Sequence, residues 1–208
     1  MKHKLKKPAY WDEAAKALAR KDKILANIIS RYKGEALMSR GSAFFSLARA
    51  IAGQQISVKA ADSVWRKLET ALGQVLPEAV IAATDDELRA CGLSRSKALY
   101  MKELSQFFIK NPDTKWHLQN DEEVVEMLVS IKGLGTWSAE MFLIFHLLRP
   151  DVFPIADLGL QKAIEKLYNG GKKMERKAMQ KLAEKWRPYR TVATWYLWRS
   201  LDPVAVEY

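Results

Sequence analysis

The sequence has little cysteine and histidine, and these shortages exclude several kinds of site. A single cysteine, Cys91, excludes a disulfide framework, a cysteine-based zinc site and a cysteine-ligated iron–sulfur cluster. The three histidines, His3, His117 and His146, belong to no metal or catalytic motif. The basic N-terminal segment lacks the apolar stretch of a signal peptide, and the longest apolar run, around His146, is too short to span a bilayer. We therefore expect a reducing, intracellular environment and no membrane partner.

Acidic residues are also fewer than basic ones. The 208 residues include 34 Lys and Arg against 24 Asp and Glu, which gives a net charge of +10. This balance favours a polyanionic partner such as nucleic acid, although a basic protein without such a partner stays open.

Strand-like alternation, internal repeats and low-complexity linkers are missing, and helical periodicity dominates instead. Apolar residues recur at helical spacing through residues 12–32. Ser57 is a candidate helix cap, Thr84 and Glu87 have the spacing of a capping box, and Asn111-Pro112 ends a helical segment. The pattern predicts an all-α fold of short helices.

Two glycines interrupt the helical segment EEVVEMLVSIKGLGTWSAEMFLIFHLL. No strand precedes them, so they do not form a dinucleotide-binding loop. Gly133 and Gly135 allow positive φ and close backbone approach, and the next helix begins near Thr136. The free N–H groups of such a helix start bind phosphate without reading bases, and Lys132 adds a positive charge. An ordinary tight corner between two helices is an equally good interpretation.

A lone carboxylate follows the apolar run, in the segment DVFPIADLGLQKAI. Asp157 is placed to cap the helix that begins near Leu158, and capping alone would explain an aspartate there. A fixed carboxylate can also stabilise the positive charge that develops on a sugar when its N-glycosidic bond breaks.

These two segments resemble the helix-hairpin-helix superfamily of DNA base-excision glycosylases, in particular its alkylation-repair branch of the 3-methyladenine DNA glycosylase II type. The segments ARAIAGQQISVKAADSVWRKL and LAEKWRPYRTVATWYLWR also resemble that branch, so the likeness runs from about Phe44 to Trp198. It implies an all-α fold of two helical subdomains with a helix-hairpin-helix motif at the DNA-binding cleft. Residues 1–49 plus 138–208 would form the subdomain that carries the catalytic aspartate, and residues 50–137 the central one, which ends in the hairpin.

The resemblance also implies a role for each matching residue. Asp157 would be the catalytic carboxylate, and Gln55 with Ile56 would form a wedge that enters the minor groove. In some relatives a leucine stands at the Gln55 position; a glutamine gives up the apolar wedge but could hydrogen-bond the orphaned base. The base pocket would be lined by Trp137 and Trp198, and less clearly by Trp195 and Tyr196. The DNA backbone would be held by Lys132, Gly133, Leu134, Gly135 and Thr136.

The chemistry that the resemblance implies is hydrolytic. Bifunctional members carry a catalytic lysine two residues after the second hairpin glycine, and Trp137 occupies that position here. Water would therefore remove the base without strand cleavage, and no cofactor is required. In this family the hairpin often holds a structural Na⁺ or K⁺ ion through backbone carbonyls, and the matching positions are Val129, Ile131 and Leu134.

The implied partner is double-stranded DNA with damaged bases, bound by a monomer in the cytoplasm or nucleoid of a bacterium or in the nucleus of a eukaryote. Two other functions stay open. One is a helix-hairpin-helix protein that binds DNA or senses damage without catalysis. The other is a glycosylase for uracil, hypoxanthine or mismatched bases.

Overall fold

The computed structural model describes residues 7–39 and 41–201, and α-helices dominate this part of the chain. The helices are, in order, α1 Trp11–Lys21, α2 Lys23–Arg31, α3 Ala43–Gly53, α4 Val58–Leu72, α5 Pro77–Ala82, α6 Asp85–Ala90, α7 Arg95–Lys110, α8 Asp121–Val129, α9 Thr136–Phe145, α10 Leu158–Tyr168, α11 Arg176–Ala183 and α12 Arg190–Arg199. Short 3₁₀ turns occur at Trp116–Leu118 and Glu184–Trp186. No β-strand occurs within the described ranges, which confirms the all-α prediction. Over the same ranges, no helix has both the length and the apolar character needed to cross a bilayer.

The chain folds into two compact units. One contains the described residues up to Ser39 and those from Leu143 onward, and the other runs from Gly41 to Phe142. These boundaries differ from the predicted ones after residues 49 and 137. The first differs because the whole of α3 packs against α4 and α7 of the central unit. The second lies inside α9, where the Phe142 ring packs on Trp116 of the central unit with centroids 5.1 Å apart.

The helical periodicity of residues 12–32 continues through two separate helices. Asp22 separates α1 from α2 by adopting an extended backbone conformation, with φ −144° and ψ 110°. Its Oδ1 accepts hydrogen bonds from the backbone N–H groups of Ile24 and Leu25 at 2.9 and 3.2 Å. The chain therefore starts a new helix here without losing the apolar stripe that faces the core.

The Asp22 carboxylate also ties α2 to the C-terminal half of the same unit. Its Oδ2 accepts hydrogen bonds from the Tyr168 hydroxyl at 2.8 Å and the Trp186 indole at 2.9 Å, and the Lys185 ammonium lies 2.9 Å away. Burial alone would raise the pKa of Asp22, but the hydrogen bonds from Trp186, Lys185 and Tyr168 outweigh it and hold the pKa below its usual value. A buried charge with this many donors fixes the helices around it.

The helix signals read from the sequence are confirmed in the central unit. The Ser57 hydroxyl accepts a hydrogen bond from the Ala60 N–H at 3.3 Å, at the start of α4. Thr84 and Glu87 form the reciprocal capping box of α6. α7 ends at Lys110, directly before the Asn-Pro pair. These caps are local, so sequence spacing was sufficient to predict them.

Candidate active site and DNA-binding turn

The turn between α8 and α9 depends on one of its two glycines. Gly133 has φ +96°, and a Cβ atom there would collide with Cγ of Tyr100 in α7. Gly135 does not share the positive φ. Its carbonyl accepts the Ala139 N–H at 3.1 Å, so Gly135 is the N-cap of α9. Gly133 is thus required both by its backbone conformation and by the approach of the Tyr100 ring.

Substituting Gly133 with alanine should destabilise the fold by roughly 2–4 kcal/mol, because the new Cβ collides with a ring and occupies a strained backbone region. Urea unfolding followed by circular dichroism measures this loss. Gly135→Ala is the matched control, since a Cβ there meets nothing within 4 Å. Equal losses for the two variants would contradict the role assigned to Gly133.

The start of α9 is open to solvent beside this turn. Lys132, Gly135 and Thr136 are exposed, whereas the side chains of Ile131 and Leu134 are buried and anchor the turn. Leu134 can therefore offer a ligand only its backbone. The first N–H groups of a helix have no acceptor within the helix, so this exposed end suits an anionic oxygen.

The segment Gln54–Ser57, which we call the wedge loop, joins α3 to α4 in the same unit. Gln55 has φ +59°, a left-handed conformation that costs a residue with a side chain about 1–2 kcal/mol. Its side chain is exposed, and the apolar side chain of Ile56 beside it is 41% exposed. Strain together with exposed side chains is typical of a functional loop. Gln54 points the other way, and its Nε2 donates to the Gly133 carbonyl at 2.9 Å.

In the other unit, Asp157 caps α10 as predicted. Its Oδ1 accepts the Leu160 N–H at 2.6 Å and the Trp198 indole N–H at 2.8 Å. The intervening Gly159 leaves room for both contacts, because a Cβ there would lie 3.1 Å from Oδ1 and 3.5 Å from Cδ1 of Trp198. The half-buried carboxylate is held in one orientation by a helix start and an aromatic ring.

The Trp198 ring is in turn held by Phe145. The two rings stack with centroids 5.9 Å apart and planes inclined by 11°. Because α9 supplies Phe145 and α12 supplies Trp198, the carboxylate that accepts the indole N–H is connected to both helices.

The loop that leads to Asp157 is fastened to the start of α12. The Asp151 carboxylate receives two hydrogen bonds from the Arg190 guanidinium, at 2.8 and 2.9 Å. The Thr191 hydroxyl accepts the Val152 N–H at 2.9 Å. The loop and the helix that carries the indole donor are therefore fixed to each other, which preserves the geometry at Asp157.

The model of the HhH-GPD superfamily of base excision DNA repair proteins matches residues 48–188, a segment that contains the wedge loop, the glycine turn and Asp157. The chain belongs to this superfamily. Among curated proteins, DNA-3-methyladenine glycosylase 1 of Schizosaccharomyces pombe is 33% identical over 184 residues, which cover 86% of this chain and 81% of the relative.

Two solved structures extend the similarity to the three-dimensional fold of this HhH-GPD protein. A 3-methyladenine DNA glycosylase of Schizosaccharomyces pombe in complex with abasic DNA has a TM-score of 0.81 at 29% identity, covering 94% of this chain and 100% of that one. A DNA-3-methyladenine glycosidase of Bacillus halodurans has a TM-score of 0.79 at 30% identity, covering 96% and 92%.

The HhH-GPD chain does not present all of its predicted pocket aromatics in the same way. Trp195 and Tyr196 are each 2% exposed and pack on Trp11, with ring centroids 5.2 and 5.9 Å from it. Rings enclosed in this way serve the core of their unit, so we do not retain either in the base pocket that the resemblance implied. Trp198 adjoins Asp157, and Trp137 lies partly exposed in the first turn of α9.

Four residues that hold the wedge loop, the glycine turn or Asp157 of this HhH-GPD protein in place were not predicted from the sequence. They are Gln54, Tyr100, Phe145 and Asp151. Each contacts a residue that lies far away along the chain, and local sequence spacing does not show which residue that is. Only Gln54 carried a signal, since it stands directly before the predicted wedge residue Gln55.

Proposed function

We propose that this protein is a monofunctional DNA glycosylase that hydrolytically removes alkylated purines, such as 3-methyladenine, from double-stranded DNA. The observation that carries the proposal is the carboxylate of Asp157, fixed by two N–H donors on one oxygen. The similarity to proteins named as 3-methyladenine glycosylases supports the substrate class.

DNA binding begins at the glycine turn. The exposed start of α9 and Lys132 hold a backbone phosphate, which positions the protein without selecting a sequence. Gln55 and Ile56 then occupy the space left when the damaged nucleotide leaves the base stack. Ile56 supplies apolar surface, and Gln55 supplies hydrogen-bonding groups for the partner base. The net charge of +10 favours this association at low salt.

Base release relies on Asp157 and on the charge of the damaged base. A methylated purine is cationic, so it stacks favourably on an aromatic ring such as that of Trp198, beside Asp157, and it is a good leaving group. As the N-glycosidic bond breaks, positive charge develops on the sugar and is stabilised by the oriented carboxylate. Water, positioned by Asp157, then forms a bond to the anomeric carbon of the sugar and releases one proton to solvent, while the base leaves as a neutral molecule. No cofactor is required for this reaction.

His146 does not donate a proton in the proposed reaction. Burial lowers the pKa of His146 to about 4, so its imidazole is neutral at pH 7. A cationic base also departs without prior protonation, which removes the need for a general acid.

The proposed enzyme leaves the strand intact. Strand cleavage by relatives of the bifunctional kind requires a lysine that forms a Schiff base, and Trp137 stands at that position in a helix without any lysine. The expected product is an abasic site, made by a monomer acting wherever the cell keeps its DNA.

A monovalent cation at the turn is a separate proposal. The backbone carbonyls of Val129, Ile131 and Leu134 would hold Na⁺ or K⁺. The Ile131 carbonyl accepts the Leu134 N–H at 3.1 Å, and its second lone pair is compatible with an ion. Duplex affinity measured in K⁺, Na⁺ and tetramethylammonium at one ionic strength tests this, and equal affinities would argue against an ion.

The substrate class is tested with a panel of duplexes and the wild-type protein. Methylated, uracil-containing and hypoxanthine-containing duplexes are incubated with enzyme, and released bases are resolved by chromatography. We expect 3-methyladenine from the first duplex and slower or no release from the others. Preferred release of uracil or hypoxanthine would overturn the alkylated-purine assignment, and binding without release of any base would favour a non-catalytic DNA-binding protein.

Trp198→Phe tests the indole hydrogen bond separately from the ring. Phenylalanine keeps an aromatic face toward Phe145 but loses the N–H that donates to Asp157. We expect base release to slow by roughly 10-fold, because hydrogen bonds to charged groups contribute about 1.5–3 kcal/mol and part of this orients the carboxylate. Trp195→Phe, in the core, is the control and should leave the single-turnover rate unchanged. An unaffected rate in Trp198→Phe would restrict Trp198 to a stacking role.

A further inference from the structure

We infer that Gln54 is a positioning residue that makes the wedge loop and the glycine turn a single rigid element, so that phosphate binding at the turn aligns Gln55 and Ile56 for insertion. The inference rests on the proposed function, and it assigns a role to a residue whose observed side-chain hydrogen bond is to the backbone of the turn.

The first observation is the direct connection between the two segments. Gln54 is the C-cap of α3. Its Nε2 donates to the carbonyl of Gly133 at 2.9 Å in a partly buried contact. Gly133 is the residue whose conformation defines the turn, and Gln55, the next residue after Gln54, already belongs to the exposed part of the wedge loop. One hydrogen bond therefore joins the base of the wedge to the centre of the turn.

The second observation is that α7 supports both segments from one face. Tyr100 lies against Gly133 so closely that no side chain fits there. One turn earlier in α7, the Lys97 ammonium donates to the Ala52 carbonyl near the end of α3 at 2.9 Å. Helix α7 therefore contacts both the end of α3 and the turn. Gln54 adds a direct hydrogen bond between those two segments.

The third observation is the strain at Gln55. A glutamine with φ +59° and an exposed side chain is not held by contacts of its own side chain with the core. Its conformation must be maintained by the residues on either side. Gln54 is fixed to the turn, and Ser57 on the other side caps α4. Releasing Gln54 would let the loop relax and misalign the wedge relative to the bound phosphate.

The test compares wild type with Gln54→Leu and Gln54→Glu in the full-length protein. Leucine has a similar length but no donor, and glutamate keeps the shape and polarity but presents a carboxylate to a carbonyl. Gln74→Leu is the matched control, at an exposed glutamine outside both segments. The substrate is a duplex that carries 7-methylguanine opposite either cytosine or an abasic-site analogue. A second duplex carries 2-aminopurine beside an abasic-site analogue and reports wedge insertion by fluorescence without any catalysis.

We expect both Gln54 variants to release the base opposite cytosine about tenfold more slowly in single turnover, which corresponds to about 1.4 kcal/mol. The reduction in rate should be smaller when 7-methylguanine lies opposite the abasic-site analogue, because no base pair has to be broken before the nucleotide leaves the stack. The 2-aminopurine signal should fall in parallel, while the Gln74 variant matches wild type.

The possible failures can be told apart. Wild-type rates and wild-type fluorescence in both Gln54 variants would overturn the inference and leave the proposed function standing. An equal loss on both 7-methylguanine duplexes would reduce Gln54 to a structural residue. If wild type releases no alkylated purine, the proposed function fails, and an unchanged fluorescence signal in the variants would still overturn the positioning role.

Discussion

Asp157→Asn should slow base release by about 100- to 1,000-fold in single turnover, the size of effect seen when one preorganised charge-stabilising group is removed from an active site. Asparagine keeps an oxygen that can accept from Leu160 and Trp198, but it lacks the negative charge. The loss should therefore appear in the chemical step. Methylated duplex in the presence of excess enzyme, with release followed by chromatography, measures that step directly.

The same variant should keep its fold and its affinity for DNA. Asparagine is as good a helix cap as aspartate, so α10 should form normally. Removal of a negative charge from a DNA-binding protein should leave binding equal or tighter. Asp86→Asn is the control for charge alone, because its side chain is 92% exposed at a surface ion pair. A rate in Asp157→Asn similar to that of the Asp86 variant would rule out the catalytic role of Asp157.

Asp22→Ala should destabilise the protein by about 3–5 kcal/mol, the cost of breaking a buried charged network by removing one partner. The substitution leaves the Tyr168 hydroxyl and the Trp186 indole without their acceptor in a buried site. It also removes the cap of α2 and the counter-charge of Lys185. Urea unfolding at pH 7 measures the difference in the free energy of unfolding.

The pH dependence of this loss has a definite sign. Because the folded-state pKa of Asp22 is lowered, its contribution is fully present above the ordinary carboxyl pKa of 3.8 and is lost as the pH falls toward the lowered value. The difference between wild type and Asp22→Ala should therefore shrink in acid. Asp86→Ala, at an exposed position, should change stability by less than about 0.5 kcal/mol. A difference of that size for Asp22→Ala would contradict the central role of its carboxylate.

The local part of the fold could be predicted from the sequence because its signals are local. Thr84 with Glu87, Ser57 and Asp157 all cap helices as their spacing indicated. The turn at Gly133 was also found, because a glycine pair between two helical patterns is typical of a tight turn. Helix caps depend on backbone groups two or three residues away, which a sequence displays directly.

The part of the fold and of the site that could not be predicted depends on contacts between residues far apart in the sequence. Apolar spacing ran through Asp22 without a break, and its hydrogen bonds with Tyr168 and Trp186 could not be predicted from that spacing. The sequence also placed Trp195 and Tyr196 with Trp198, although only Trp198 touches Asp157 and the other two pack on Trp11. Aromatic residues in one helix look alike in a sequence, and the neighbours that distinguish them lie far away along the chain.

The most direct measurement is the stoichiometry of one reaction on methylated duplex DNA with wild-type enzyme. Released 3-methyladenine is quantified by chromatography, and abasic sites are counted on gels before and after alkali. We expect one alkali-labile site for each released base and an intact strand before alkali. Strand breaks without alkali would contradict hydrolysis as the mechanism, and the absence of free methylated base would contradict the assignment of this protein as a glycosylase for alkylated purines.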